Sequence, residues 1–296
     1  GLPTSPAPTS GFYKVGSPVI EVRVQFSEIV NVTGIPTLQL ETGTTDRVLN
    51  YATGSGTNIL TFNYTISSTD TSNDLDYLAT TSLVLAGGST IKNATNENAV
   101  LTLAAPGASG SLGASNAIVI DTTAPTASVA TDVTKGSTQN AVVRSTEVGT
   151  VFLVKSTNAI PTTVSQILGF TANTRTTGTA VATADTDTNV PAAMLTSGEY
   201  KVYAADAAGN LSLPSTNTVT VDAVAPFIGM MPLNTPLGDA SRISVQSSEA
   251  GTAYLVRSTV PVTNKASILA AQTANTADVN EVTIAAPNTN TALLTT

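Results

Sequence analysis

Alternating hydrophobic and polar positions recur along the chain and predict β-strands. In residues 19–26 the apolar side chains occupy every second position, and the same alternation returns in residues 59–66. Because successive side chains of a strand point to opposite faces, both segments predict half-buried strands. Clusters of Gly, Asn and Pro separate such segments, and only residues 165–172 and 265–274 have patterns that allow a helical turn. The chain is therefore predicted to be all-β, as a sandwich.

An internal repeat predicts the number of domains. The segment Ser145–Thr157 returns as Ser247–Thr259, 102 positions later. A period near one hundred residues is the length of one immunoglobulin-like (Greek-key) β-sandwich. We therefore predict tandem modules joined by short Pro-containing linkers. The predicted boundaries are a linker at residues 1–10, module 1 at 11–121, module 2 at 126–222 and module 3 at 227–296.

Module 3 is incomplete at its carboxyl end. Residues 197–222 of module 2 include two predicted strands, 199–205 and 216–221, that have no counterpart in module 3. A sandwich without these strands exposes an apolar face and an unpaired edge. Two interpretations stay open. Either the sequence is a fragment of a longer protein, or a strand from a neighbouring copy completes the module.

Composition and charge argue against several classes of function. Twenty Asp and Glu residues against twelve Lys and Arg give a net charge of −8, which disfavours nucleic acid and anionic lipid as partners. No apolar stretch is long enough to insert into a membrane as a helix. Without His or Cys the chain lacks the usual general base of nucleophilic triads, the commonest zinc ligands and disulfides. We expect no enzymatic activity, no nucleic acid partner and no membrane insertion.

Two parts of the sequence resemble known repeat families. Tyr200–Asn210, followed by Thr218–Asp222, resembles the penultimate strand, loop and last strand of bacterial Ig-like repeats. Module 1, from Gly11–Gly16 through Phe26-Ser-Glu28 to Asp121–Pro125, is similar to the cadherin-like and Ig-like repeats of very large bacterial surface adhesins. The resemblance implies a secreted protein at the cell surface.

Such repeats imply an adhesive or structural role. The expected role is a rigid, calcium-stiffened extender that contacts adjacent modules of the same polypeptide and presents a distal binding domain. Host or surface glycans would then be bound through other domains. An alternative is a subunit of a surface layer, sheath or filament, in which identical subunits are joined by strand donation. A carbohydrate-binding module is a more distant alternative, because the chain has no Trp and only 4% aromatic residues.

The resemblance also implies Ca²⁺ at the junctions between modules, held by a linker Asp, a loop Asp or Asn and a Glu at a strand end. The acidic composition suits this ion, which takes about six to eight oxygen ligands. One junction would use Asp121 with Glu147 or Asp206, and the next would use Asp222 with Glu249. Glu28, the strand-end Glu of module 1, and Asn210, in the loop that follows Asp206, are further candidate ligands. In a second interpretation, each Glu is simply a solvent-exposed residue at the end of a strand, and each linker Asp forms an Asx turn before Pro.

Two further loops bear on metal binding. Asp70, Asp74 and Asp76 form an oxygen-rich stretch that could hold one ion, although it lacks the spacing of an EF-hand, and a plain acidic loop is the alternative. In module 1, Asn93–Asn98 replaces the loop Asp206–Asn210 of module 2 and has lost both the leading Asp and the Gly. An ion site is therefore not expected at this second loop.

Overall fold

The computed structural model of the protein describes residues 2–7, 10–129, 132–136, 139–230 and 242–294. Strands predominate, which confirms the predicted all-β class, and the chain forms two compact units, unit 1 (residues 1–223) and unit 2 (residues 224–296). The helices of the described residues are Leu112–Ser115 (α1), Val164–Gly169 (α2) and Lys265–Ala274 (α3), with 3₁₀ turns at Ala86–Gly88, Ala172–Thr174 and Thr276–Asp278. None of these helices has the length and apolar character that crossing a membrane requires.

The first part of unit 1 is built on one large antiparallel sheet. Its strands are β1 (Thr4–Ala7), β2 (Gly11–Tyr13), β3 (Ile20–Thr33), β4 (Thr37–Glu41), β5 (Arg47–Thr53), β6 (Thr57–Tyr64), β7 (Asp76–Tyr77), β8 (Leu83–Val84), β9 (Thr90–Asn93) and β10 (Ile118–Ile120). Eight of these strands form the sheet, in the order β1-β3-β6-β5-β4-β7 with β8 on β4 and β9 on β3, whereas β2 and β10 form a separate parallel pair. The alternating apolar residues of β3 and β6 lie in a single buried cluster, as the period of two requires.

Part of the segment predicted as a linker forms a strand. Thr4–Ala7 forms β1 and pairs antiparallel with β3, with Thr4 opposite Val24. Pro3 and Pro6 interrupt the alternating pattern that would have revealed a strand. Pro is tolerated here because β1 is at the edge of the sheet, where one side of the strand needs no ladder hydrogen bonds.

The second part of unit 1 has the strand arrangement of an immunoglobulin-like sandwich. Its strands are β11 (Ala127–Ser128), β12 (Val133–Gly136), β13 (Asn140–Ser145), β14 (Gly149–Lys155), β15 (Thr179–Val181), β16 (Thr188–Pro191), β17 (Gly198–Asp206) and β18 (Val219–Asp222). One sheet has the order β11-β13-β16 and the other β12-β18-β17-β14-β15. This order matches the division of strands between the two sheets of immunoglobulin domains. Both faces of the larger sheet are covered, one by the smaller sheet and the other by a cluster that includes Ile167 of α2.

Tyr200 fixes the entry of the chain into β17. Its hydroxyl donates to the carbonyl oxygen of Thr196, four residues upstream, at 2.7 Å, while its ring is fully buried. This arrangement is the tyrosine corner of immunoglobulin-like sandwiches. The hydroxyl also lies 3.2 Å from the carbonyl oxygen of Asn173, so it joins the loop before β15 to β17.

We expect Tyr200→Phe to lower the free energy of unfolding of unit 1 by about 1–2 kcal/mol, because the carbonyl oxygen of Thr196 loses its hydroxyl donor. The matched control is Tyr203→Phe in the same strand, whose hydroxyl makes no hydrogen bond within the described residues. Urea unfolding of both variants measures the difference. Equal stability of the two variants would show that the corner does not stabilise the sandwich.

Unit 2 repeats part of this arrangement. Its strands are β19 (Ile228–Met230), β20 (Arg242–Ser247), β21 (Gly251–Val256), β22 (Val279–Ile284) and β23 (Thr291–Leu294). The order β19-β20-β23 forms one sheet, and β21 with β22 forms a second, two-stranded sheet within the described residues. A small buried cluster joins the sheets through Ile243, Val245, Ala253, Ile284 and Leu293. The helix α3 occupies the position that the pattern of residues 265–274 predicts.

Candidate metal centre

Three carboxylates meet where the first and second parts of unit 1 adjoin. Asp121 follows β10, Glu147 lies in the turn between β13 and β14, and Asp206 is the last residue of β17. One carboxylate oxygen from each lies within 4.8 Å of the other two. The structure thus brings together the three residues that the sequence analysis named for this junction, and Ca²⁺ binding by them stays a prediction.

Strand pairing brings Glu147 and Asp206 together. Gly149 is paired with Asp206 in the β14–β17 ladder, so the turn that precedes β14 lies beside the end of β17. The backbone N–H of Glu147 donates to the hydroxyl of Ser145 at 3.2 Å, which tightens this turn. A Cβ atom at Gly149 would lie only 2.0 Å from the carbonyl oxygen of Ala205. Gly is therefore required for the close approach that forms the site.

The loop after Asp206 joins the site to Asp121. The backbone N–H of Asn210 donates to Asp206 Oδ1 at 2.9 Å, and its side-chain Nδ2 donates to Asp206 Oδ2 at 2.8 Å. The same Nδ2 donates to the carbonyl oxygen of Asp121 at 3.0 Å. Lys14 Nζ donates to the carbonyl oxygen of Gly209 in this loop. Asn210 thus orients Asp206 and connects residues on both sides of the junction.

Asp121 is held by its own backbone and by a neighbouring strand. Its N–H donates to the carbonyl oxygen of Tyr13 at 2.9 Å. Its Oδ1 accepts from the N–H of Thr123 at 3.0 Å, which is the Asx turn that the second interpretation predicts. The turn and the cluster therefore coexist, because a carboxylate has enough lone pairs to accept one N–H and still face a further partner.

The cluster places negative charges close together in a partly buried position. Burial raises the pKa of the Glu147 carboxyl above its ordinary value of 4.5, and the charges of Asp121 and Asp206 raise it further. Asp206 is 8% exposed, so water screens its charge only in part. A cation among the three carboxylates would remove the repulsion that disfavours the ionised form of Glu147.

The donor set fits a hard divalent cation. All three side chains offer carboxylate oxygen, the ligand that Ca²⁺ prefers, and one such oxygen from each lies within 4.8 Å of the other two. Nitrogen and sulfur ligands are absent from the sequence, since it contains neither His nor Cys, so the set is unsuited to a structural zinc site.

Two solved structures that are similar to this chain share little of its sequence. No family model matches the sequence, and no curated protein matches it. The FN1–FN3 domains of chicken CNTN1 are 11% identical over 99% of this chain and 89% of that chain, with a TM-score of 0.27. SGBP-B of the Bacteroides ovatus mixed-linkage glucan utilization locus, in complex with a mixed-linkage heptasaccharide, is 9% identical over 99% of this chain and 67% of that chain, with a TM-score of 0.21. Similarity at this level assigns neither a family nor a ligand.

Asp70, Asp74 and Asp76 have separate surroundings in the structure. Asp70 is fully buried, with Oδ1 2.7 Å from Arg47 Nε and Oδ2 2.9 Å from the hydroxyl of Tyr64. Asp76 instead accepts from the N–H of Gly107 at 3.0 Å, and Asp74 is exposed. Among the described residues, the three carboxylates do not converge on one point. Asp70 is a structural residue of the core.

Glu28 lies in a different kind of polar cluster. Asn93 Nδ2 donates to Glu28 Oε2 at 3.4 Å and to Glu97 Oε2 at 2.8 Å, so an amide group separates the two carboxylates. Asn93 Oδ1 accepts from the N–H of Glu97 at 2.9 Å, and Asn96 adopts a φ of +68°. This loop reproduces the geometry of Asp206–Asn210, with the acid and amide positions exchanged. Glu97 was not among the residues predicted from the sequence, although its place in the loop matches that of Asn210.

Asp222 and Glu249 belong to different units. Asp222 ends β18 in unit 1 and is paired with Gly136 of β12. Glu249 follows β20 in unit 2, and its N–H donates to the hydroxyl of Ser247 at 3.2 Å, as Glu147 does to Ser145. A cation site that combines the two stays a prediction.

Proposed function

We propose that this chain is a non-catalytic segment of a secreted surface protein, in which tandem immunoglobulin-like modules extend from the cell and Ca²⁺ stiffens the first junction. The observation that supports this proposal is the convergence of Asp121, Glu147 and Asp206 within 4.8 Å. Two of the carboxylates come from module 2, and Asp121 comes from the end of module 1. A cation bound by all three would link the modules by strong charge-assisted contacts and limit bending between them.

Calcium is expected to stabilise unit 1. At a free Ca²⁺ concentration about 100 times the dissociation constant, binding adds about 2.7 kcal/mol and raises Tm by about 5–10 °C. Glu147→Gln should abolish most of this increase, because it removes one of the three charged ligands. Glu199→Gln is the matched control, since it removes an exposed charge from the same module. Calorimetric titration and thermal unfolding measure both effects, and a calcium response that persists unchanged in Glu147→Gln would contradict the assignment.

The raised pKa of Glu147 gives the site a pH dependence in the absence of metal. When the folded pKa lies above the unfolded value, folding favours the protonated form. The stability that Glu147 contributes is complete below about pH 4.5 and is lost as the pH rises through the raised pKa. We therefore expect metal-free wild type to lose stability relative to Glu147→Gln over this range. Saturating Ca²⁺ should remove or reverse the difference. If the difference in Tm between the two proteins were the same at every pH, the cluster would not be coupled to folding.

One observation favours a second candidate function, assembly into a surface layer, sheath or filament by strand exchange. Within the described residues of unit 2, β21 pairs with β22 alone. Sedimentation velocity separates the two candidates, because an extender stays an extended monomer with or without Ca²⁺, whereas an assembly subunit forms larger species as concentration rises.

A further inference from the structure

A cavity of about 180 Å³ lies in the second part of unit 1, on the face of the larger sheet that α2 partly covers. Val154 of β14 is paired with Lys201 of β17, and both line the cavity together with Tyr203, which follows Lys201 on the same face of its strand. The loop after β14 and Pro214 after β17 complete the lining. Ile160 in this loop is 73% exposed, so solvent reaches the edge of the cavity.

The hydroxyl of Tyr203 is a buried polar group that the fold does not use. The residue is only 4% exposed, and its hydroxyl has no hydrogen-bond partner among the described residues. In the same part of the chain, the one completely buried side-chain nitrogen or oxygen without a partner is Ser89 Oγ. The Tyr203 hydroxyl therefore keeps a little accessible surface, on the side of the cavity that it lines. Because buried Tyr hydroxyls usually have a partner, this one points to a ligand in the cavity.

The charged residues that line the cavity are both cationic. They are Lys155 and Lys201, and no Asp or Glu lines it among the described residues. Lys155 Nζ already donates to Thr196 Oγ1 at 2.9 Å and to the carbonyl oxygen of Ser197 at 2.8 Å. Lys201 Nζ donates to the carbonyl oxygen of Thr216 at 2.5 Å and forms no ion pair within the described part of the chain. An ammonium group has three donors, so Lys201 can also bind an anion.

The rest of the lining suits a single apolar ring. Val154, Ile160 and Pro214 offer hydrocarbon surface, and a cavity of about 150 Å³ is large enough to hold benzene. A small inorganic anion would leave this apolar surface unfilled. A sugar ring would place hydroxyl groups against it, which costs free energy when those groups lose their hydrogen bonds to water.

We propose that this cavity binds a small aromatic carboxylate. The ring would pack against Val154, Ile160 and Pro214, and the carboxylate would accept from the Tyr203 hydroxyl and the Lys201 ammonium group. Two residues on one face of a strand are about 7 Å apart, and both side chains are long, so one carboxylate can reach both. The site shares no residue with the candidate metal centre and goes beyond the proposed function.

The test titrates benzoate into the full chain and follows binding by calorimetry and by backbone amide chemical shifts. Benzoate should saturate one site with a dissociation constant on the order of 1 mM, as a ligand of this size permits. The largest shifts should fall in residues 156–160 and 201–203, around the cavity. Benzamide, which has the same ring without the charge, should bind about threefold more weakly. No saturable shift in these residues at benzoate concentrations well above this value would overturn the proposal.

Tyr203→Phe and Lys201→Met are the deciding variants. Tyr203→Phe should weaken benzoate binding about tenfold or more, because a hydrogen bond to a carboxylate is lost. Lys201→Met keeps the aliphatic stem and should weaken benzoate about threefold while leaving benzamide unchanged. Lys92→Met is the matched control, since it removes the same charge from module 1, and it should bind benzoate as wild type does.

Two outcomes with the variants would also overturn the proposal. One is wild-type affinity for benzoate in Tyr203→Phe, and the other is an equal loss of benzoate and benzamide binding in Lys201→Met. None of the variants changes a carboxylate of the metal centre, so these results are independent of Ca²⁺ binding.

Discussion

Gly149→Val should lower the free energy of unfolding of unit 1 by about 3–5 kcal/mol and its Tm by about 10 °C. The new Cβ would lie 2.0 Å from the carbonyl oxygen of Ala205 and 2.9 Å from the Cα of Asp206. To relieve this contact, β14 and β17 must separate, which breaks ladder hydrogen bonds and opens the core between the sheets. The same movement takes Glu147 away from Asp206, so the calcium response should also be lost.

Gly251→Val is the matched control for this substitution. It makes the same change at the equivalent position of the repeat, where an added Cβ would meet no atom within 4 Å. We expect a change in stability of less than about 0.5 kcal/mol, as for other surface substitutions. Thermal unfolding followed by calorimetry compares the two variants. Similar losses in both would mean that β17 does not approach Gly149 as the structure describes.

Arg47→Met should also destabilise unit 1 strongly, by about 3 kcal/mol, because it leaves a buried carboxylate without its cation. Asp70 is fully buried, and Arg47 is its only salt-bridge partner within the described residues, at 2.7 Å. Adding Asp70→Asn to Arg47→Met should recover part of the loss, since an uncharged amide is less costly to bury than an unpaired charge. Urea unfolding of the two single variants and the double variant measures this coupling.

Arg23→Met provides the comparison for an exposed ion pair. Arg23 and Glu21 also lie 2.7 Å apart, but both side chains are more than 40% exposed. Loss of this pair should cost about 0.5 kcal/mol or less, because water screens the two charges. If Arg47→Met lowered the free energy of unfolding by no more than Arg23→Met does, the ion pair with Arg47 would not be needed to bury Asp70.

Much of the secondary structure follows from local patterns. The strict alternation in residues 19–26 and 59–66 predicts parts of β3 and β6, and the pattern of residues 265–274 predicts α3. The strand β1 was not predicted, because Pro3 and Pro6 interrupt the alternating pattern of this edge strand. Its partner begins more than ten residues later. Its formation depends on the edge of β3, which a local pattern does not reveal.

Part of the candidate metal centre was predictable from the internal repeat and from the resemblance to known repeat families, not from local patterns. The repeat places Glu147 just before β14, and the resemblance to surface repeats implies that Asp121 and Asp206 lie near it. Asp70 has the same residue type, but its partner Arg47 is 23 positions away and its burial depends on the packing of β5 and β6. Spacing between acidic residues therefore did not distinguish a ligand set from a buried ion pair.

The loop Asn93–Asn98 shows that residue identity and loop geometry are separable. This loop lacks the leading Asp and the Gly of the loop Asp206–Asn210. Asn93 nonetheless accepts the N–H of Glu97 as Asp206 accepts that of Asn210, and Asn96 takes the positive φ of Gly209. Asn can fill both roles because its side chain accepts hydrogen bonds and it tolerates the left-handed region.

Spin-label distance measurement tests the calcium-stiffened junction most directly. The chain has no Cys, so Val48→Cys and Val142→Cys, both at exposed positions, would carry the only labels on the two sides of the junction. We predict that Ca²⁺ narrows the distribution of distances between the labels in the otherwise wild-type chain and leaves it broad when Glu147→Gln is added. A distribution that saturating Ca²⁺ does not change, or that narrows equally with Glu147→Gln, would contradict the account.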